Sequence, residues 1–212
     1  GMYNRKWCQP ISVLSMIGAT WAGVETLIKV MNSKSHELSY LLGGWTLDQY
    51  PRGVGIEFRA DLLGALITLV VLGVGLIVSL YSKIPVEEET PGKESLFFTL
   101  FLLQITGLAG ITLTGDAFNL YVLIEVAALT GYGLIAIGSN RAAAATFNYV
   151  ILGTIGASLY LLGVGYLYIK TGTLNMVGIR EVIEANALAD SPSMQVAFIL
   201  VGLGILIKMA FF

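Results

Sequence analysis

Cysteine and histidine are nearly absent: Cys8 and His36 are the single representatives in 212 residues. One cysteine excludes an internal disulfide and a cysteine-rich metal site, and one histidine excludes the paired-histidine zinc motifs. No redox cofactor or metal is therefore implied, nor any redox or hydrolytic chemistry of the chain's own. Charge is scarce as well. Asp, Glu, Lys and Arg make up 12% of the chain, where a water-soluble domain carries about 25%. With 56% hydrophobic residues and a mean hydropathy of +0.79, the chain cannot cover itself with polar groups, so much of its solvent must be lipid. A formal net charge of −2 leaves no basic patch for nucleic acid. The polar opening GMYNRKWCQP does not read as a cleavable signal peptide, because the apolar stretch after it is long enough to span.

What the chain has in quantity is apolar runs. About twenty apolar residues cross a hydrocarbon core of about 30 Å. Six stretches meet that length, over 11–31, 61–82, 95–113, 116–138, 142–169 and 194–212. The expected fold is an all-α integral membrane protein, a single transmembrane helical bundle over 1–212. Paired glycines inside the spans, such as Gly107 and Gly110, Gly163 and Gly165, or Gly202 and Gly204, fit close backbone approach between helices in lipid. Between the first two spans, residues 38–60 combine alternation with Gly43, Gly44, Pro51 and Gly53, which predicts an extramembrane β-hairpin. Residues 83–94 read as a polar loop, and 170–193 as a longer one with a short surface helix over 177–187. Asp61 and Asp116 stand at helix starts, where capping is their plainer role. Basic residues divide five against five: Arg5, Lys6, Lys83, Lys93 and Arg141 on one side, Lys34, Arg52, Arg59, Lys170 and Arg180 on the other. That count gives no orientation.

Two ionisable residues interrupt the spans at depth: Glu125 in the fourth and Lys208 in the sixth. A charge at mid-membrane costs roughly 2.5–3.5 kcal/mol by insertion scales, so such residues are rare and generally functional. Glu125 lies about 14 Å into its helix, and Lys208 about 21 Å along a parallel one, a difference in depth of about 7 Å. At about 6 Å and an effective dielectric of about 20, their attraction would be roughly 3 kcal/mol. An amine balanced between oil and a nearby carboxylate can take up a proton and release it when the carboxylate moves or is neutralised. For Glu125 the plainer alternative is a structural hydrogen bond; for Lys208 it is snorkelling near a helix end. Glu25 and Lys29, four residues apart on the first span, read as an interfacial ion pair. Tyr121, Tyr132, Asn119, Asn148, Thr154 and Ser158 add polar atoms in or beside the spans.

Three stretches together resemble the antiporter-like subunits shared by Mrp-type cation/proton antiporters, membrane-bound hydrogenases and respiratory complex I. They are SYLLGGW followed by GIEFRADLLGALI, then GDAFNLYVLIEVAALTGYGLIAIG, then FNYVILGTIGASLYLLGVGYLYIKTGTLNM. The last is close to the D-type branch of the Mrp subunits, and the resemblance covers 38–212. It implies that Glu125 matches the family's essential glutamate and Lys208 the lysine of its seventh helix. It implies a non-cytoplasmic hairpin, with 1–6, 83–94 and 139–141 facing the cytoplasm of a prokaryotic cell. Implied partners are the bilayer, other membrane subunits of a hetero-oligomeric complex, and protons, alone or exchanged against sodium. Members of the family have about fourteen helices with inverted repeats, and this chain is expected to cover helices two to seven. The leading expectation is thus a partial proton- or cation-translocating subunit. A non-conducting scaffold and an unrelated oligomeric six-helix carrier are the alternatives.

Overall fold

The computed structural model describes residues 7–44, 55–138 and 141–209. Helix α1 (Cys8–Asn32) leads into strands β1 (Glu37–Leu41) and β2 (Glu57–Asp61). Helices α2 (Leu62–Tyr81), α3 (Lys83–Glu89), α4 (Glu94–Leu113) and α5 (Ala117–Ile137) follow. The chain continues through α6 (Ala142–Thr171), α7 (Met176–Ala185) and α8 (Pro192–Lys208). Helices α1, α2, α4, α5 and α6 are long and apolar enough to cross a membrane, and α8, at 17 residues, is a shorter apolar helix. The protein is a multi-pass integral membrane protein, as its composition required. Large apolar side chains on the spans stay exposed, Trp21 at 75% and Ile169 at 77%, as they do where lipid is the solvent.

Three local expectations are refined. The stretch expected as a polar loop over 83–94 begins with the short helix α3. Pro85 falls in its first turn, where a missing N–H costs nothing, and three glutamates that favour helix follow. The surface helix expected over 177–187 is α7, two residues short of that at its end, and Asn175 caps it by accepting the Gly178 N–H at 2.9 Å. The sixth expected span, 194–212, begins two residues earlier at Pro192, and residues 210–212 lie outside the described ones. The expected hairpin is present as the pair β1–β2. Leu42 N–H extends its ladder to Ile56 O at 2.9 Å, and Gly43 and Gly44 (φ 95° and 72°) turn the chain in a region that side chains disfavour. Its tip, 45–54, with Pro51 and Gly53, is outside the described residues.

The residues group into two compact units. The first comprises Gly1–Leu38, Ala60–Leu113 and Leu123–Asn148. Here α1 runs antiparallel to α2, with Gln9 Nε2 donating to Ser79 O at 3.3 Å and Thr20 meeting Leu72 O at 3.4 Å. The hydroxyls of Thr68 and Thr112 join α2 to α4 at 2.6 Å. Asp61 accepts the Gly64 N–H at 2.6 Å and so caps α2. Glu25 and Lys29 form an exposed ion pair at 2.8 Å, the role expected of them.

The second unit comprises Ser39–Arg59, Thr114–Val122 and Tyr149–Phe212. Its core joins Ala117, Tyr160, Val164 and Ile179, with Leu167, Met194 and Ala197 beside them. Helices α6 and α8 pack antiparallel through glycine. A Cβ built on Gly204 would lie 2.7 Å from Tyr160 N and 2.8 Å from Gly156 O; one on Gly163 would lie 2.8 Å from Val201 N. Gly202 faces open space, as do Gly73 and Gly165, so not every intramembrane glycine is an interface residue.

These positions give a matched test. Gly204→Ala should lower the thermal midpoint of the detergent-solubilised protein, by a cost of about 1–3 kcal/mol typical of overpacking. Gly202→Ala should leave it unchanged or slightly raised. Equal melting temperatures for the two variants would contradict the close helix approach.

Candidate functional site

In the first unit, α4 and α5 pack back to back. A Cβ on Gly110 would meet a Leu123 side-chain carbon at 2.5 Å, one on Gly107 would meet Ala127 N at 3.0 Å, and one on Gly133 would meet Leu100 at 2.9 Å. Thr130 adds a polar tie, donating to Gln104 Oε1 at 2.7 Å. The α5 stripe facing α4 is therefore Leu123, Ala127, Thr130 and Gly133. Glu125 stands two positions from both Leu123 and Ala127, hence about 200° around the axis, on the face turned away from α4. Tyr121 and Tyr132 share its face at four and seven residues' distance. Glu125 is half-buried and Tyr132 buried.

A cleft of about 510 Å³ opens in this unit among α1, α2 and α4. Its walls are apolar, with hydroxyls such as Thr26 and Thr106 already bonded to carbonyls of their own helices at 2.8 Å. Among the described residues no titratable side chain lines it, so it offers no protonatable step.

In the second unit, Lys208 occupies the last turn of α8 and is half-buried. It lies one turn past Gly204, whose Cα packs on α6, and so on the α6-facing side of α8.

Around the start of α5 the second unit holds a polar cluster that the sequence reading did not assemble. The Glu57 carboxylate, 5% exposed, accepts from the Ser39 hydroxyl at one oxygen and from Asn175 Nδ2 at the other. Its backbone carbonyl accepts the Gly115 N–H at 2.8 Å. Asp116 caps α5 by accepting the Asn119 N–H at 2.7 Å, which bears out the capping role expected of it. Asn119 Nδ2 donates to Thr114 Oγ1 at 2.9 Å, and the Tyr160 hydroxyl donates to Ala117 O at 3.0 Å. Burial pushes the Asp116 carboxyl above its ordinary value, against the N–H groups of Asn119 and Phe118 that pull it down. Among the other polar residues singled out, Thr154 and Ser158 bond carbonyls of α6 itself, and Asn148 is exposed. Among the described residues no group of His, Cys, Asp and Glu could hold a metal.

Helices of this length and apolarity define a class, the multi-pass helical membrane proteins. Comparison with known proteins specifies it. Residues 114–212 match the family model described as NADH:quinone oxidoreductase/Mrp antiporter, transmembrane. NADH-quinone oxidoreductase subunit N of Desulforudis audaxviator is 42% identical over 174 residues, 82% of this chain and 33% of that protein. The D-type subunit of the Na(+)/H(+) antiporter of Bacillus subtilis is 31% identical over 173 residues, 81% and 33% respectively. A chain of the membrane-bound sulfane sulfur reductase, an archaeal respiratory membrane complex, superposes with a TM-score of 0.83 at 30% identity, covering 93% of this chain and 38% of that one. A chain of the Mrp complex from a Dietzia species gives 0.78 at 25%, covering 95% and 36%. The resemblance read from the three stretches is borne out: this chain carries a segment of the antiporter-like membrane subunits of Mrp and complex I-like complexes. It spans about a third of the length of the curated relatives it matches.

The raised Asp116 carboxyl has a consequence for stability. Below the ordinary value of 3.8 both folded and unfolded chains hold the proton. As pH rises, the unfolded chain releases it first, so stability falls until the folded carboxyl also ionises. Asp116→Asn keeps the cap oxygen and removes that step. Its melting temperature should gain on the wild type as pH rises from about 3.8 through the raised value, and a difference that stays flat with pH would contradict the assignment.

Proposed function

We propose that this chain is the ion-coupling portion of a subunit that moves protons, alone or in exchange for sodium, within a hetero-oligomeric membrane complex. Glu125 is the coupling carboxylate and Lys208 the proton-loading base. The observation that carries the reading is the retention of one acid and one base inside apolar helices of a chain similar to named antiporter and quinone-oxidoreductase subunits. Neither residue stands where packing alone requires a charge. Glu125 is on the α5 face turned away from α4, and Lys208 is one turn past Gly204, on the side of α8 that packs on α6.

The chemistry follows from the solvent. Removal from water disfavours both charges; a proton gained by the Glu125 carboxylate, or given up by the Lys208 ammonium, removes one of them. Each group can therefore hold a proton and pass it on when its surroundings change. Partner subunits would complete the route, and a prokaryotic cell membrane would be its setting.

The test is proton uptake and ΔpH-driven cation exchange by vesicles holding the membrane complex that carries this chain. Glu125→Gln and Lys208→Met should each lower the initial rate roughly tenfold or more while assembly is retained. Wild-type rates in both assembled variants would contradict the reading and leave a scaffold role.

A further inference from the structure

We propose that Glu57 is a positioning residue for ion coupling: through Asn175 it holds the amino-terminal end of α5, and with it the placement of Glu125. The proposal rests on the role given to Glu125 above.

Three connections meet at Glu57. Its carboxylate takes the Ser39 hydroxyl from the facing strand and the Asn175 amide from the α6–α7 connection. Its backbone carbonyl takes the Gly115 N–H from the α4–α5 turn. Asn175 cannot turn away, because its Oδ1 is engaged by the Gly178 N–H, which leaves Nδ2 as the group that faces Glu57. The backbone around Asn175 then grips the start of α5. Ala117 N–H donates to Leu174 O at 2.8 Å, Met176 N–H donates to Gly115 O at 2.9 Å, and Asp116 and Asn175 pair as an antiparallel bridge. Space is tight there as well: a Cβ on Gly115 would lie 3.3 Å from Arg59 Cβ and 3.5 Å from Glu57 Oε2.

A buried carboxylate is costly unless its oxygens are engaged, and a neutral side chain would fill the same volume at less cost. Its use here gives two strong, directional bonds that fix the turn from which α5 departs. Glu125 follows Asp116 by nine residues on that helix, about 14 Å along its axis. Loosening the start of α5 would therefore shift Glu125 without touching it.

Glu57→Gln removes the charge and replaces one of the two acceptor oxygens by an N–H, so Ser39 and Asn175 can no longer each donate to a carboxylate oxygen of their own, and Asn175→Asp sets a carboxylate against Glu57. The double variant Glu57→Gln with Asn175→Asp restores the bond in the opposite sense, since one oxygen of the introduced carboxylate still caps Gly178. In vesicles holding the complex, each single variant should slow antiport roughly fivefold or more and move the pH of half-maximal rate. The double variant should return the rate to within about twofold of wild type and restore the pH profile. Ser39→Ala, which removes one donor only, should shift the pH profile in the same direction by less. A double variant no better than the singles in rate, pH profile and assembly overturns the proposal. So do single variants that assemble and transport as wild type. Where Glu125→Gln is inactive beside such unaffected variants, positioning fails and the role of Glu125 stands. A fully active Glu125→Gln overturns the role itself and the positioning with it.

Discussion

Keeping an ionised group out of water is the constraint on which the rest of this protein depends. Neutral polar side chains on its helices find hydrogen-bond partners within the protein. Thr130 meets Gln104, Thr68 meets Thr112, and the hydroxyls of Thr154 and Ser158 return to carbonyls of their own helix. Glu125 and Lys208 differ because their charge is what lipid penalises, and a neutral side chain would satisfy packing at each position. The helices supply rigid placement for both. Glycines let α4 approach α5, and α6 approach α8, closely enough that the stripes carrying the two residues have fixed directions.

Much of the fold was legible in the sequence because lipid leaves few choices. A spanning segment must satisfy its own backbone hydrogen bonds, so length and apolarity alone identified α1, α2, α4, α5 and α6 to within a few residues. The two aspartate caps were legible for a similar reason: a carboxylate before an apolar run has few other uses. Helix α3 was not, because its charged residues read as loop, and the benefit of proline in a first turn depends on where the helix starts. Glycine identities marked helix contacts but not which ones. Gly202 and Gly204 look alike in sequence, yet only Gly204 meets backbone atoms.

The candidate site divides in the same way. Glu125 and Lys208 could be found by composition, since a lone charge in an apolar run is conspicuous. Glu57 and Asn175 could not, because they lie 118 residues apart, in segments where polar residues are expected. The Asn175 cap on α7 was the one local signal, an asparagine before an amphipathic run, and it says nothing of the second bond made by the same side chain. Long-range polar clusters outside the membrane carry no periodicity, so folding alone reveals them.

The most direct measurement of the central claim is a double-mutant cycle on Glu125 and Lys208, read as proton transport by the membrane complex. If the two residues serve one proton-transfer step, Glu125→Gln combined with Lys208→Met should transport no more slowly than the worse single variant. Losses that multiply in the double variant would show two independent contributions and contradict the coupling of this acid to this base.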